Sequence, residues 1–162
     1  MRKFGVIVSS DSCYNGTQED LSGKAIVEYM ENRGYELARL VILPDERDML
    51  ANELRKFVKD KTPLVLTTGG TGFSKRDVMP EATKDVIERE AMGIVEAMRI
   101  KSLEITSRAM LSRAIAGIAE DTLIINMPGS KKAVLESLDI IIDAVEHGLG
   151  ILLGETGNCG RK

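Results

Sequence analysis

The chain has 162 residues, 43% of them hydrophobic and 29% charged, and a formal net charge of −3. This length fits one globular domain, and the net negative charge disfavours general binding to nucleic acid or to an anionic membrane surface. With two cysteines far apart in the sequence and one histidine, no zinc site is expected. The apolar run Phe4–Val8 is too short for a signal peptide, and no run is long enough to span a membrane, so we expect a cytoplasmic protein.

In the first half of the chain, apolar runs that predict strands alternate with apolar stripes that predict helices. The predicted strands are Phe4–Val8, Leu37–Leu43 and Leu64–Leu66. One predicted helix contains the stripe Ala25–Met30 and stops near Gly34, and a second contains the stripe Leu50–Val58. Strands that alternate with helices favour a parallel sheet covered by helices.

The second half predicts two further helices, a strand pair and a long final helix. Pro80–Glu90 begins with proline followed by acidic residues, which favours a helix start, and Ile94–Ile105 continues as a helix. Leu111–Ala119 and Asp121–Gly129 are separated by a short turn, so they predict an antiparallel pair of strands. The stripe Val134–Leu152 predicts a helix that is apolar on more than one side, which suits the core or an interface.

This order of elements predicts an α/β fold with three layers. We expect a mostly parallel central sheet with one antiparallel strand and with helices on both faces. We expect residues 1–154 to form a single domain and residues 155–162 to form a flexible tail.

Three polar loops follow predicted strand ends, where ligands bind in a parallel sheet. They are Ser9–Gly23, Thr67–Asp77 and Asn126–Lys132, and each is rich in Gly, Ser, Thr and Asp. One such loop is more often a plain turn, but three at one edge of a sheet favour a ligand site.

The loop Thr67–Asp77 has the composition of a phosphate site. Its three glycines let backbone N–H groups approach an anion, its threonines add hydroxyl groups, and Lys75 and Arg76 can neutralise charge. The P-loop motif is absent from the chain. The competing interpretation is a turn with solvated charges.

Asp45 and Asp77 follow the ends of the second and third predicted strands. A single aspartate in this position is usually a turn residue or a helix cap. Two of them at neighbouring strand ends can instead hold Mg²⁺ against a triphosphate, because Mg²⁺ is typically bound by one or two carboxylates together with phosphates.

Five segments together resemble the molybdopterin adenylyltransferase family, which includes the Mog and MoaB proteins and the G domain of gephyrin. They are SDSCYNGTQEDLSG, LPDE, LTTGGTGFSKRDVMPEAT, LSRAIAGI and LIINMPGSKKAV, and they occur in the family's order. The resemblance extends over about Phe4–Gly154. Met79 departs from the pattern, since the family often has threonine there.

The resemblance implies an enzyme of molybdenum cofactor biosynthesis, a nucleotidyltransferase that transfers AMP from MgATP to molybdopterin and releases pyrophosphate. It implies Asp45 and Asp77 as the catalytic carboxylates that hold Mg²⁺. It also implies that molybdopterin and ATP bind a larger set of residues in the polar loops and in the LSR segment. This set comprises Asp11, Gly16, Asp20, Ser22, Gly23, Thr68, Gly69, Gly70, Thr71, Gly72, Lys75, Arg76, Ser112, Arg113, Asn126, Pro128, Gly129 and Ser130.

The resemblance further implies a homotrimer that hands its product to a molybdenum-insertion protein, with no nucleic acid or membrane partner. Two alternatives stay open. One is a MoaB-type paralogue that binds molybdopterin without adenylylating it, and the other is a nucleotide-handling module similar to a domain of competence-damage proteins. The single-domain length and the presence of Asp77 favour the enzyme.

Overall fold

A computed structural model describes residues 1–155. Its strands are β1 (Lys3–Ser9), β2 (Glu36–Leu43), β3 (Leu64–Thr68), β4 (Arg89–Glu90), β5 (Ala116–Ala119) and β6 (Thr122–Met127). They form one sheet in the order β2-β1-β3-β6-β5-β4. The pairs β1–β2, β1–β3 and β3–β6 are parallel, whereas β5 is antiparallel to both β6 and β4. Within the described residues, β5 is therefore the one strand that runs against the others.

Helices cover both faces of this sheet. They are α1 (Asp11–Tyr14), α2 (Ser22–Asn32), α3 (Arg47–Lys59), α4 (Met79–Lys84), α5 (Met92–Leu103) and α6 (Lys131–Leu152), with a 3₁₀ helix at Ser107–Leu111. Apolar residues of α2, α5 and α6 pack on one face, and those of α3 and α4 pack on the other. The predicted three-layer α/β fold with one antiparallel strand is confirmed.

The two faces of the sheet belong to separate apolar clusters. From β1, Phe4, Val6 and Val8 pack in the cluster of α2, α5 and α6, whereas Ile7 packs in the cluster of α3 and α4. Every residue of β3 and β6 is buried. Strands that are covered on both faces read as short continuous apolar runs, which is why the sequence predicts them without a polar alternation.

The helix predicted over Pro80–Glu90 is wrong in its second half. It ends at Lys84, and residues 89–90 form β4 instead. The backbone N–H groups of Glu88 and Ala91 each donate to a carbonyl oxygen of β5 at 2.9 Å. Without β4, this edge of β5 would leave its backbone groups unpaired, so the pairing outweighs the local helical pattern.

The strand predicted over Leu111–Ala119 is wrong at its start, because β5 begins only at Ala116. The 3₁₀ helix takes the first predicted residue. The guanidinium of Arg99, on α5, donates hydrogen bonds to the carbonyl oxygens of Ser112 and Ala114. A side chain therefore takes the acceptors that a strand would offer to a neighbouring strand.

Arg2 connects the start of β1 to the end of α6. Its Nε donates to Glu155 Oε2 at 3.1 Å, and its guanidinium also donates to the carbonyl oxygen of Glu146 at 2.9 Å. These contacts lie at the amino edge of the sheet, on the side away from the polar loops. Residues 156–162, which make up most of the predicted flexible tail, lie outside the described residues. In residues 1–155, no helix has the length and apolar character needed to cross a membrane.

Candidate functional site

The polar loops that follow β1, β3 and β6 meet at the carboxyl edge of the sheet. In the ladder of β1 and β3, Val8 lies opposite Thr68, and in the ladder of β3 and β6, Thr68 lies opposite Met127. On the other side of β1, Ser9 lies opposite Leu43, so the loop that contains Asp45 starts beside the loop after β1. Four loops are thus neighbours at one edge of the sheet.

The segment Gly69–Gly72, named here the glycine ridge, turns the chain at the end of β3. Gly69 and Gly70 have φ angles of +86° and +71°, a conformation that L side chains rarely adopt. A Cβ on Gly69 would collide with the carbonyl oxygen of Ser9. A Cβ on Gly129 would lie 3.6 Å from the Cα of Gly69. Three loops therefore pack backbone against backbone at this point.

The N–H groups of Gly70, Thr71 and Gly72 donate no hydrogen bond to any of the described residues, whereas the carbonyl oxygens of Gly70 and Thr71 are bonded to Met79 and Arg113. The acceptor side of the ridge is thus fixed by the protein, and its donor side is available to an anion.

Two clefts open on either side of the glycine ridge. The polar cleft has a volume of about 460 Å³ and lies between the loop after β1 and the starts of α2 and α6. The apolar cleft has a volume of about 300 Å³ and lies between α5, the 3₁₀ helix and α6. Gly129 lines both, so the two clefts meet beside the ridge.

The clefts divide part of the predicted site between them. Predicted residues that line the polar cleft are Asp20, Ser22, Thr68, Gly69, Gly129 and Ser130. Predicted residues that line the apolar cleft are Thr71, Gly72, Ser112, Pro128 and Gly129. The predicted residues that line neither are Asp11, Gly16, Gly23, Asp45, Gly70, Lys75, Arg76, Asp77, Arg113 and Asn126.

Asp20 forms a wall of the polar cleft at the start of α2. Its side chain is buried, and Oδ1 accepts a hydrogen bond from the N–H of Gly23 at 2.8 Å, so it caps the first turn of the helix. Oδ2 is buried without a hydrogen-bond partner among residues 1–155. The hydroxyl of Thr68 donates to the carbonyl oxygen of Pro128 at 2.6 Å and lies 3.2 Å from Ser22 Oγ. These contacts join the wall to the loop after β6.

Asp45 is held by the loop after β1. Its Oδ1 accepts a hydrogen bond from the hydroxyl of Ser9, and its Oδ2 accepts one from the backbone N–H of Asp11 at 3.2 Å. The backbone N–H of Asp45 donates in return to Asp11 Oδ1 at 3.0 Å. Each carboxylate oxygen of Asp45 keeps a second lone pair, so it can still accept a ligand.

Arg76 pairs with carboxylates of two other loops. Its Nε and one terminal nitrogen donate to the two carboxylate oxygens of Asp11 at 3.0 and 2.9 Å, and its other terminal nitrogen donates to Glu46 at 2.8 Å. The hydrogen bonds from Arg76 hold the pKa of Asp11 below its usual value. The pKa of Arg76 is raised, mainly by its hydrogen bonds to Asp11 and, second, by its hydrogen bond to Glu46. By contrast, Lys75 is exposed and forms no ion pair with the described residues.

Asp77 is fixed within its own loop, and Arg113 fixes that loop from outside. Asp77 Oδ2 accepts the N–H of Ser74 at 2.9 Å. The guanidinium of Arg113 donates to the carbonyl oxygens of Gly72 and Asp77 at 2.8 and 2.7 Å, and also to the carboxylate of Glu81. Burial raises the pKa of Glu81, but the hydrogen bond from Arg113 and further charge effects outweigh it, so the pKa lies below its usual value.

Asn126 and Gly16 lie apart from the clefts for different reasons. Asn126 is fully buried, and its amide nitrogen donates to the hydroxyl oxygens of Thr67 and Thr83 at 3.1 and 2.9 Å. Its carbonyl oxygen accepts the N–H of Ile115, so this side chain joins β6 to β3 and α4. Gly16 lies in an exposed turn with φ +78° and open space around it.

Asp45 and Asp77 fit the donor chemistry of Mg²⁺, which takes one or two carboxylates and completes its coordination with phosphate and water. Both side chains are half-buried, and Asp77 Oδ1 accepts no hydrogen bond within residues 1–155. No group of three or more His, Cys, Asp or Glu side chains in the described part of the chain could hold a metal ion. A metal at this edge would therefore depend on bound phosphates for its remaining ligands.

Sequence reasoning missed three residues that orient the site. Ser9 donates to Asp45, Glu46 accepts from Arg76, and Glu81 accepts from Arg113. Glu46 and Glu81 lie inside the LPDE and PEAT segments, so the motifs contained them, but their partners are 30 and 32 residues away along the chain. A local pattern carries no signal for such pairs.

Comparisons with known proteins show the family of this chain. A model of the family described as a probable molybdopterin binding domain matches residues 5–147. The molybdopterin adenylyltransferase of Helicobacter pylori strain J99 is 42% identical over 156 residues, which cover 93% of this chain and 88% of that protein. The molybdenum cofactor synthesis protein cinnamon of Drosophila melanogaster is 38% identical over 98% of this chain, but the chain spans only 27% of cinnamon.

A solved structure shows the same fold. The molybdopterin biosynthesis enzyme MoaB of Thermus thermophilus has a TM-score of 0.90 and 37% sequence identity, and the alignment covers 95% of this chain and 98% of that chain. The similarity therefore includes the strands and the loops that build the site.

Proposed function

The chain belongs to the molybdopterin-binding domain family of molybdenum cofactor biosynthesis, and we propose that it is a molybdopterin adenylyltransferase. In the proposed reaction, a terminal phosphate oxygen of molybdopterin attacks the α-phosphorus of ATP. One new P–O bond forms, the bond between the α- and β-phosphates breaks, and pyrophosphate leaves. The reaction would take place in the cytoplasm, and the product would pass to a molybdenum-insertion protein.

The observation that carries this proposal is the meeting of two clefts at the glycine ridge. A transfer between two phosphate-bearing substrates needs two adjacent binding sites and a junction where the phosphates can meet. The N–H groups of Gly70, Thr71 and Gly72 are available at that junction. They would position the phosphates without any nucleophilic side chain, since phosphoryl transfer depends mainly on positioning and charge neutralisation.

The polar cleft has further features that favour a phosphate chain. It is lined by Ser22 and Lys131, the first residues of α2 and α6, and a helix start attracts anions through its free N–H groups. Lys131 also brings a cation to the cleft. We propose that Lys75, which is exposed and unpaired within residues 1–155, supplies a second cation beside the glycine ridge.

We propose that Asp45 and Asp77 hold Mg²⁺, which would neutralise phosphate charge when bound. In the protein itself, Ser9 and the Asp11 N–H orient the Asp45 carboxylate, and the Ser74 N–H orients the Asp77 carboxylate. Both carboxylates thus have a fixed orientation before any ligand arrives.

The test is transfer of labelled AMP from α-labelled ATP to purified molybdopterin, with pyrophosphate release measured in parallel. The structure gives Asp77 no helix-capping bond, since α4 has no side-chain cap, but Asp77→Asn keeps an oxygen that can accept the Ser74 N–H. A role as a turn residue alone therefore predicts near-normal transfer. A metal-holding role predicts a loss on the order of 100-fold or more, because the stabilisation involved is several kcal/mol. Asp45→Asn should behave alike, and the double variant should be little worse than either single variant.

Two results would contradict parts of the proposal. Molybdopterin binding without transfer by the unmodified protein would identify it as a binding paralogue. Full transfer by Asp77→Asn at saturating Mg²⁺ would remove the metal-holding role from that residue. Unchanged thermal stability of both variants is the control for folding.

We also propose a homotrimer, with an exposed apolar patch as the contact. The patch lies on α5 and on the segment through the 3₁₀ helix, and its members are 42–63% exposed: Ile100, Leu103, Ile105, Met110 and Leu111. A contiguous exposed apolar patch is unusual unless it binds a partner. On α6, by comparison, half of the apolar side chains are buried within the chain. Light scattering should give a trimer mass that falls for Ile100→Glu, a patch residue that does not line the apolar cleft, but not for Ile151→Glu, which changes an exposed side chain outside the patch.

A further inference from the structure

We propose that Arg76 is a positioning residue that acts through Asp11 on Asp45 and sets the Asp77 loop against the Asp45 loop. This inference rests on the function proposed above for the site. It gives Arg76 a different role from direct contact with phosphate, which its place beside the glycine ridge suggested from sequence alone.

Arg76 reaches two loops other than its own. Its backbone lies next to Asp77 in the loop after β3, whereas its guanidinium bonds to Asp11, after β1, and to Glu46, after β2. Three N–H groups are engaged at 2.8 to 3.0 Å. One side chain therefore links all three loops that carry or support the two site carboxylates.

The link continues from Asp11 to Asp45. Asp11 Oδ1 accepts hydrogen bonds from both Arg76 and the backbone N–H of Asp45, at 2.9 and 3.0 Å. The backbone N–H of Asp11 donates to Asp45 Oδ2. Arg76 holds the Asp11 carboxylate, and if this carboxylate rotated, it would lose its contact with the Asp45 backbone. Arg76 therefore controls the orientation of Asp45 indirectly, through Asp11.

The charge of this cluster disfavours direct phosphate binding by Arg76. One guanidinium faces the two carboxylates of Asp11 and Glu46, so the group is net negative and would not attract a further anion. The pairing also depends on the planar fork of arginine, which matches two carboxylate oxygens at once; lysine has no such geometry.

Asp11→Ala distinguishes a positioning role of Arg76 from a phosphate-binding role, because the first predicts weaker activity and the second predicts tighter ATP binding. If Arg76 positions the loops, Asp11→Ala and Arg76→Ala should each lower kcat by about 10- to 100-fold, the usual range for residues that orient metal-binding groups. The KM for MgATP should change little, and the double variant should match the single ones because both act in one chain of contacts. If Arg76 binds phosphate, Asp11→Ala would free it and tighten ATP binding, which would overturn the proposal.

Arg47→Ala is the matched control. Arg47 has the same side-chain exposure as Arg76, 51%, and forms the same type of bidentate pair, with Asp85 at 2.8 Å. Its partner Asp85 follows α4 and belongs to none of the three loops that Arg76 links. Loss of an exposed pair without a positioning role should leave kcat unchanged. Arg76→Lys should recover little of the lost kcat, and full recovery by lysine would overturn the proposal.

A second readout does not depend on turnover. Hydrogen–deuterium exchange should rise in segments 10–15 and 71–77 of Arg76→Ala and stay unchanged there in Arg47→Ala. Unchanged exchange in Arg76→Ala would overturn the positioning role whatever the activity. If the unmodified protein transfers no AMP, the proposed function fails, yet the exchange measurement still decides whether Arg76 holds the loops together.

Discussion

The two halves of the loop after β3 are held in place by different physics. The glycine ridge is fixed by shape, because Gly69 and Gly70 adopt left-handed backbone and Gly69 packs directly on the Ser9 backbone. The charged half, Phe73–Asp77, is largely exposed and is fixed by arginines. Arg113 holds its backbone from one side, and Arg76 ties it to the loops after β1 and β2 from the other.

Because of this difference, we expect the two halves of the loop to respond differently to substitutions. Gly69 of the ridge tolerates no added atom, since the Ser9 carbonyl oxygen that a Cβ would meet is backbone and cannot rotate away. The charged half tolerates changes in its own exposed side chains but depends on partners far away in the sequence. Substitutions in the two halves should therefore fail for different reasons, and the following experiments test this.

The largest effect on stability is expected from Gly69→Ala. Left-handed backbone alone costs an L residue roughly 1–2 kcal/mol, and the collision with the Ser9 carbonyl adds to it, so we expect a loss of about 3 kcal/mol or more. Gly34→Ala is the control, because Gly34 has nearly the same φ, +83°, with open space around it. Urea unfolding measures both. Equal losses would mean that close packing at Ser9 contributes nothing.

An intermediate effect is expected from Arg113→Ala. This change removes the donors to the carbonyl oxygens of Gly72 and Asp77 and leaves Glu81 without its partner, so we expect a loss of about 2–3 kcal/mol. Arg47→Ala, which removes an exposed ion pair, should cost about 0–1 kcal/mol. If both variants unfold at the same urea concentration, the charged half is not held by Arg113.

The smallest effect is expected in the pH dependence of stability. The folded-state pKa of Glu81 lies below its usual value of 4.5, so its contribution is present above that value and is lost as the pH falls through the folded-state pKa. Urea midpoints between about pH 5 and pH 3 should therefore fall less steeply in Glu81→Gln than in the unmodified protein. If the urea midpoints of both proteins fall equally steeply with pH, the Arg113–Glu81 pair contributes nothing to the pH dependence of stability.

The sequence was sufficient for the ridge and insufficient for the charged half. Glycines 69, 70 and 72 indicate tight backbone by themselves, and the buried strands appear as continuous apolar runs, so the three-layer fold and its single antiparallel strand were predictable. Arg76 looks from sequence like a free cation beside a phosphate loop. Its partner Asp11 is 65 residues away, and only the fold brings the two together.

The two corrected elements have the same cause. Residues 89–90 have a helical pattern, but they pair with the open edge of β5 and form β4. Residues before Ala116 have a strand pattern, but Arg99 takes their carbonyl oxygens. Both outcomes depend on groups supplied by other parts of the chain, and local periodicity contains no information about them.

The contact of Arg2 with Glu155 and with the Glu146 carbonyl has a consequence for how this unit can be built into larger proteins. Residues 2 and 155 lie side by side at the amino edge of the sheet, and the site lies at the opposite edge. A unit with adjacent ends can be inserted into, or fused to, another polypeptide without stretching either connection. Arg2 and Glu155 lie on the side away from the clefts, so a domain joined beside them could be added while the route to the ligands stays open.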